Sequence, residues 1–496
     1  MVETKVLLVD RGNYLFIKDH KQYDSLIYKE LSYVHKQYDV NYAHMIMLRK
    51  TCYEEIDVKN EKIIVTPSGF LDRIKELFER NNIKYEYQKQ GDFHDCVAEY
   101  TDESLLGNIT LRGKQIQCLK QILTNRRGII KAPVGFGKSF LFPVLARLAS
   151  SAKIDIVVKR KDIAQAIYKD CKSFCIPVGL VTSGKKQKQR VTIYTAGSLG
   201  HSDYDANLVL VDECHELATD RYLSYLLRYK KANIFGFSAT PFTRFDNEGF
   251  VLEGVFGKVI YESTYNDNVS VKSVVPIVIR WIPVSYHQKY SNIKHEAIYK
   301  KIFIWNNINR NRKIAQVADE YLNQGKQVLI ITETVEHALR LKALLPRFTL
   351  CTGAVSATKI KRFKAQGLPV DSLNVAGRSE LYDDFKSRRL MGVIATDVWS
   401  TGVSFDDLDV LVRADARASG TISTQVPGRV SRIPKLTDKE VGIVVDFADI
   451  FDTKLYNRSL SRFRIYKQLG WIQCDALLHP ITKLSDLKNP SIFTQL

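Results

Sequence analysis

Gly128-Ile-Ile-Lys-Ala-Pro-Val-Gly-Phe-Gly-Lys-Ser139 decides how the rest of the chain is read. Gly128 to Lys131 is a short apolar run of the kind that forms a buried parallel strand. Gly135 and Gly137 then make a loop, and Lys138-Ser139 lead into the apolar helix Phe140-Leu-Phe-Pro-Val-Leu-Ala-Arg-Leu148. Strand, glycine loop and helix in that order are the setting of a phosphate-binding loop. Such a loop wraps the backbone from Pro133 through Val134, Gly135, Phe136 and Gly137 around phosphate oxygens, and the helix start adds the positive end of its dipole. Lys138 is expected to reach the outer phosphates, and the Ser139 hydroxyl to ligand Mg²⁺. A glycine turn with a solvated lysine explains this stretch alone equally well. The motifs downstream do not allow it.

Leu208-Val-Leu-Val211 reads as a second buried strand, and Asp212-Glu213-Cys214-His215 stand at its end. A carboxylate at a strand terminus beside a phosphate loop is the other half of a nucleoside triphosphatase site. Asp212 is expected to hold Mg²⁺ and Glu213 to polarise the attacking water, while His215 senses the γ-phosphate and couples to the neighbouring motif. Capping of a helix start is the competing use for such an acidic pair. The pair follows the loop by about 75 residues, a normal separation for the two halves of such a site. Ile234-Phe-Gly-Phe-Ser238-Ala239-Thr240-Pro241 then gives a further strand ending in a small polar cluster.

Taken in order, these motifs resemble the superfamily 2 DNA helicases and translocases, nearest to the phage UvsW type and its relatives in the RecG and XPB groups. Ala132, where the general loop pattern has glycine, matches the form this superfamily uses. Leu111-Arg112-Gly113-Lys114-Gln115 is similar to its Leu-Arg-Pro-Tyr-Gln element, which makes Gln115 an adenine reader and places Arg112 beside the nucleotide; a helix-surface glutamine is the alternative. Gly392-Val-Ile-Ala-Thr396-Asp397-Val-Trp-Ser-Thr-Gly402 resembles motif V, with Thr396 on the nucleic-acid backbone and Asp397 and Gly402 on the nucleotide side. Gln425-Val-Pro-Gly-Arg429-Val-Ser-Arg432 fits motif VI, so Gln425, Arg429 and Arg432 join the catalytic set, the arginines as fingers across a cleft. The family also grips nucleic acid at strand tips, which here carry Thr195 and Thr332. Lys159-Arg160-Lys161 replaces the usual Pro-Thr contact, and it reads either as a phosphate contact or as a solvated turn.

The resemblance implies an α/β chain: two RecA-like parallel-sheet motor domains, a small α+β accessory domain before them and a helical tail after them. Expected limits are 1–100 for the accessory domain, 101–272 and 273–450 for the motor domains, and 451–496 for the tail. Within the accessory domain, Lys5–Asp10, Tyr14–Lys18 and Ile63–Pro67 read as strands. Apolar residues at 70, 71, 74, 77 and 78 read as one face of a helix ending at Asn81. The run Gly184–Arg190 is expected to be an exposed loop, and Val441–Phe447 to close the second sheet. Lys359–Lys364 reads as a lysine-rich solvated helix or, alternatively, as part of a DNA-touching insertion. In the tail, Arg462 and its basic neighbours alternate with Phe463, Tyr466 and Trp471, which suits phosphate contact with base stacking or, alternatively, a docked amphipathic helix.

The 496 residues carry a formal net charge of +19, an excess expected of a polyanion binder. No apolar run approaches the ~20 residues that span a bilayer. Eight scattered cysteines lack a Cys-x-x-Cys pair, so neither zinc nor a disulfide framework is expected, as in a reducing cytoplasm. The activity implied is ATP- and Mg²⁺-dependent work on single-stranded and branched duplex DNA in recombination, repair or replication, alongside recombination or replication proteins and as a monomer. An RNA helicase, or a duplex translocase that does not separate strands, remains the alternative.

Overall fold

The computed structural model describes residues 5–39, 44–90, 109–242, 249–285, 293, 295–373, 378–399, 405–418, 423–424 and 426–488. The chain divides into two compact units, Met1–Ser263 and Thr264–Leu496.

Unit 1 begins with the accessory module. Its strands are β1 (Val6–Arg11), β2 (Tyr14–Lys18), β3 (Ser32–Asp39), β4 (His44–Thr51), β5 (Glu54–Val58), β6 (Glu61–Pro67) and β7 (Tyr85–Gln90), with helices α1 (Asp24–Glu30) and α2 (Leu71–Arg80). Five strands pair in the order β5-β6-β2-β1-β7, and β3 and β4 form a separate hairpin. The apolar positions expected for α2 do face inward: Phe70, Ile74, Leu77 and Phe78 are buried against β1 and β2 residues.

The rest of unit 1 is a larger sheet of β8 (Arg127–Lys131), β9 (Ile154–Val158), β10 (Val178–Thr182), β11 (Lys185–Gln187), β12 (Val191–Thr195), β13 (Leu208–Asp212), β14 (Asn233–Ser238) and β15 (Val259–Glu262). Their order is β11-β10-β12-β9-β13-β14-β8-β15. All pairs are parallel except β10–β11, so the run expected to be a loop at 184–190 instead supplies an edge strand. Helices α3 (Gly113–Thr124), α4 (Leu141–Leu148) and α5 (Lys161–Ser173) cover one face; α6 (Asp220–Leu226) and α7 (Gly249–Phe256) cover the other. Purely apolar strands such as Leu208–Val211 are what burial on both faces demands.

The accessory module is fastened to this sheet. Arg126 pairs with Asp10 at 3.2 Å, Asn13 donates to the Tyr229 carbonyl at 2.7 Å, and Arg73 pairs with Glu253 of α7 at 2.7 Å. Gly69 is required there, because a Cβ would lie 2.0 Å from the Glu253 carbonyl oxygen.

Unit 2 holds α8 (Tyr265–Ser270), α9 (Glu296–Lys300), α10 (Ile308–Asn323), α11 (Val335–Leu344), α12 (Ala357–Ala365), α13 (Arg378–Lys386) and α14 (Thr453–Gln468). Its strands are β16 (Ile277–Val284), β17 (Val328–Ile331), β18 (Thr349–Cys351), β19 (Gly392–Ala395), β20 (Val410–Arg413), β21 (Gly442–Asp449) and β22 (Ile472–Cys474). They form a parallel sheet ordered β18-β19-β17-β20-β21-β16-β22. Two expectations change. β21 lies inside the sheet, and the tail that follows it belongs to this core: α14 buries Phe463 and Tyr466, Trp471 is buried beside them, and β22 completes the edge. In the 359–364 run of α12 the lysines and Arg362 are exposed, and Phe363 is buried. Among the described residues, no helix is long and apolar enough to cross a membrane.

Candidate nucleotide site and nucleic-acid edge

In unit 1 the strand order sets β8 and β13 on either side of β14, so their carboxyl ends bring three sequence motifs to one place. Loop residues Gly135 and Gly137 adopt φ of 88° and 86°, a left-handed backbone that glycine enters without strain. Lys138 is 7% exposed; its ammonium donates to the Ala132 carbonyl at 3.0 Å and the Pro133 carbonyl at 3.4 Å, and lies 3.9 Å from Glu213 Oε1. Ser139 Oγ donates to Asp212 Oδ2 at 3.3 Å. The other oxygen, Oδ1, is buried and has no hydrogen-bond partner among the described residues. Desolvating a carboxylate oxygen without a partner is costly. Burial, followed by the neighbouring Glu213 charge, pushes the Asp212 carboxyl upward, while Lys138 and Ser139 pull against that shift.

That orphaned oxygen is the test of fit for Mg²⁺, and the residues pass it. Among the described residues, no group of three or more His, Cys, Asp or Glu is placed to hold a metal ion. Mg²⁺ needs no such cage, since it uses one or two protein oxygens together with water and phosphate.

Glu213 sits at φ 45°, ψ 52°, a left-handed conformation that a residue with a side chain adopts at a cost. Its carboxyl is also pushed up by burial, an effect Lys138 opposes. His215 Nδ1 lies 3.4 Å from Glu213 Oε2 and 2.8 Å from Ser238 Oγ, which in turn accepts the Thr240 N–H at 3.0 Å. His215 therefore touches residues of two motifs, and Ser238 is a partner that the site reading left out. Its signal was present, as a serine closing an otherwise apolar strand.

Gln115, the expected adenine reader, makes two hydrogen bonds within unit 1. Its carboxamide oxygen accepts the Arg112 N–H at 3.1 Å at the start of α3, and its nitrogen donates to the Phe136 carbonyl at 2.9 Å. It is 4% exposed and holds the phosphate loop from beneath. Gly137 stands against it at φ 86°, a backbone in which any side chain is strained, and a Cβ there would also push on Gln115 Nε2 at 2.6 Å.

The expected nucleic-acid contacts separate into two groups. On unit 1, Lys159, Arg160 and Thr195 lie at the ends of adjacent strands β9 and β12. Lys159 is exposed and donates to the Glu216 carbonyl, Arg160 pairs with Asp162 at 2.9 Å, and Thr195 donates to Ser198 at 3.1 Å. On unit 2, Thr332 and Thr396 follow the neighbouring strands β17 and β19. Both are buried, and the Thr332 hydroxyl donates to the Ala395 carbonyl at 3.3 Å, so in this structure it offers no free surface. Arg462 corrects the reading of the tail. It is fully buried, bonded to Asp446 at 3.0 Å and to the Ala416 and Phe447 carbonyls, and it has no face for a nucleic acid. Of the motif VI residues, Arg429 is buried and Arg432 is a third exposed, 3.4 Å from Asp406. Gln425 and Gly402 lie outside the described residues. The expected partner of the nucleotide side, Asp397, is held by Arg417 at 2.7 Å.

Comparison with known proteins gives two family matches: residues 108–243 fit "Type III restriction enzyme, res subunit", and residues 312–434 fit "Helicase conserved C-terminal domain". The protein named helicase 22 of Sulfolobus islandicus filamentous virus (isolate Iceland/Hveragerdi) is 23% identical over 505 residues, covering 93% of this chain and 82% of that protein. Among solved structures, Saccharomyces cerevisiae Dbp5 bound to RNA and ADP BeF3 matches with a TM-score of 0.51 at 15% identity, covering 75% of this chain and 92% of that one. The UvsW protein of bacteriophage T4 aligns over 95% of this chain and 99% of its own, with a TM-score of 0.43 and 15% identity.

Proposed function

The chain being a superfamily 2 helicase that hydrolyses ATP, we propose that it is a DNA motor working on branched substrates such as forks, four-way junctions and displaced-strand loops. The observation that carries the hydrolytic part is the cluster of Lys138, Ser139, Asp212 and Glu213 at one sheet edge, with Asp212 Oδ1 buried and unsatisfied.

In this reading the loop backbone and Lys138 bind the phosphates. Ser139 Oγ and Asp212 would hold Mg²⁺, which when bound draws charge off the β- and γ-phosphates. Glu213 orients the attacking water and accepts its proton; a carboxyl raised by burial is a better base than a solvated one. His215 and Ser238 transmit the state of that site to the strand-tip segment that follows β14. The motif VI resemblance of Arg429 and Arg432 gives them the role of supplying guanidinium charge to the transferring phosphoryl group, worth ~10³ or more in rate where it is known.

Several features support DNA as the polymer. The box reads Asp212-Glu-Cys-His215, the 159–161 stretch carries cations in place of the signature of RNA-specific members, and the unit 1 match is to a restriction-enzyme subunit. The excess positive charge suits a backbone grip. Phosphate release measured with no nucleic acid, single-stranded DNA, a four-way DNA junction and sequence-matched RNA tests the reading. Junction DNA should stimulate turnover most. Equal or greater stimulation by RNA would replace DNA with RNA.

A further inference from the structure

Unit 1 carries cations that the nucleotide site does not use. α5 presents Lys161, Tyr168 and Lys172 along one face, at the spacing that aligns side chains on a helix. β11, the edge strand beside it, brings Lys185 over the same ring. The Lys185 ammonium lies 4.9 Å from the Tyr168 centroid and that of Lys172 5.8 Å, so the aromatic face is covered by two positive charges. Lys161 reaches the turn between β10 and β11, its Nζ 3.8 Å from the position a Cβ on Gly184 would take. Lys161, Lys172 and Lys185 are exposed, and among the described residues none of them forms an ion pair. Their neighbours differ: Arg160 is neutralised by Asp162 and Lys188 by Asp203. Lys172 and Lys185 bring two ammonium groups over one ring, a pairing of like charges that an anion between them would relieve.

An edge strand also carries lysines to prevent pairing with another chain. That explains Lys185 and Lys186 but not Lys161 and Lys172, which sit on a helix and guard no edge. The turn Ser183-Gly184 projects from the same carboxyl edge of the sheet as Lys159 and Thr195, and it lies on the far side of them from the phosphate loop. At ~4.8 Å per strand, β11 stands about 30 Å from β8. Tyr168 is half-buried beneath the ammonium groups, so its ring is not free to stack on a base. The surface can read only phosphate.

We propose that α5 and the β10–β11 hairpin form a second phosphate-binding surface, which holds the backbone of the nucleic acid flanking the strand in the motor's grip. This rests on the helicase reading above. It would extend the footprint along the polymer without reading sequence, as backbone contacts do.

The test uses the full chain and two variants. One is Lys172→Ala, which leaves the edge strand intact; the other adds Lys185→Ala. Equilibrium binding is measured over a series of salt concentrations for an oligonucleotide too short to pass the Thr195 edge and for a forked duplex, and phosphate release is followed without nucleic acid. Fork binding should lose about 0.9 from its log–log salt slope for each duplex phosphate contact removed, so the double variant loses about 2. Short-oligonucleotide binding and basal phosphate release should stay at wild-type values. A fork slope unchanged in both variants, while the wild type binds the fork, overturns this surface and leaves the helicase reading standing. Equal losses on short oligonucleotide and fork would place the lysines in the main grip, which also overturns it. A wild type that binds neither substrate removes the helicase reading as well.

Discussion

The two sheets are built alike and treat charge at their carboxyl ends in opposite ways. In unit 1 the buried Asp212 keeps an oxygen without a partner, and the raised carboxyls of Asp212 and Glu213 face one buried lysine. In unit 2, arginines buried at 0% exposure are matched one to one with carboxylates. Arg310 meets Asp449 at 2.9 Å, Arg413 meets Asp415 at 3.1 Å and Arg462 meets Asp446 at 3.0 Å, with Tyr466 joining the last two pairs. Burial alone would raise the Asp415 carboxyl, yet Arg413 and Arg417 hold it well below the carboxylate range. The first edge leaves a carboxylate oxygen without a partner beside the phosphate loop. In the second each guanidinium has its carboxylate, although Arg310 Nη2 and Asp449 Oδ2 are also buried without a hydrogen-bond partner among the described residues and burial likewise pushes the Asp449 carboxyl up.

Substitutions at the two edges should therefore fail in different ways. Asp212→Asn should lower phosphate release by several kcal/mol of barrier, at least about 10²-fold, because the metal-facing charge is lost. Its unfolding midpoint should not fall, since an amide is cheaper to bury than a carboxylate; a clear loss of stability would make Asp212 a structural residue. Arg462→Ala should behave the other way. Stranding the Asp446 charge in the core costs about 3–5 kcal/mol of stability, read by urea unfolding of unit 2. All four tryptophans, Trp281, Trp305, Trp399 and Trp471, lie in that unit, so their fluorescence follows it alone.

Acid should strike the same network. The Asp415 carboxyl is lower in the folded chain than in the unfolded one, so its contribution is present above the unfolded value near pH ~4 and is lost as pH falls below it. Tryptophan fluorescence should report unit 2 loosening on that descent. A spectrum unchanged down to strong acid would show that the network contributes little. The smallest effect is expected for Ser238→Ala, which removes the His215 contact: about 1 kcal/mol of stability, with a fall in nucleic-acid stimulation of turnover larger than the fall in basal turnover.

Much of this contrast was readable from residue order. Strands buried on both faces write themselves as apolar runs, and a polar residue ending such a run marks an edge; Asp212, Ser238 and the phosphate loop all announce themselves in this way. What sequence order concealed was pairing across distance. The partner of Arg462 stands 16 residues upstream on β21, and nothing local distinguishes an arginine aimed at Asp446 from one aimed at phosphate. The contact of Gln115 with the phosphate loop was hidden for a similar reason. Its carboxamide is consumed by the Phe136 carbonyl, a group that every residue carries and no motif displays. Strand order was equally hidden, since β21 pairs with β16 far upstream in the chain and leaves the edge to β22.

The most direct measurement is phosphate release by Glu213→Gln beside the wild type, with junction DNA present, together with the thermal shift each shows on adding Mg²⁺ and ATP. Glutamine keeps the shape of the side chain and removes the base. Turnover should fall by about 10²–10⁴-fold with the nucleotide-induced shift retained, because Lys138, Ser139 and the loop still bind. A variant that releases phosphate at the wild-type rate would contradict it, and the unsatisfied edge of unit 1 would then have no part in the chemistry.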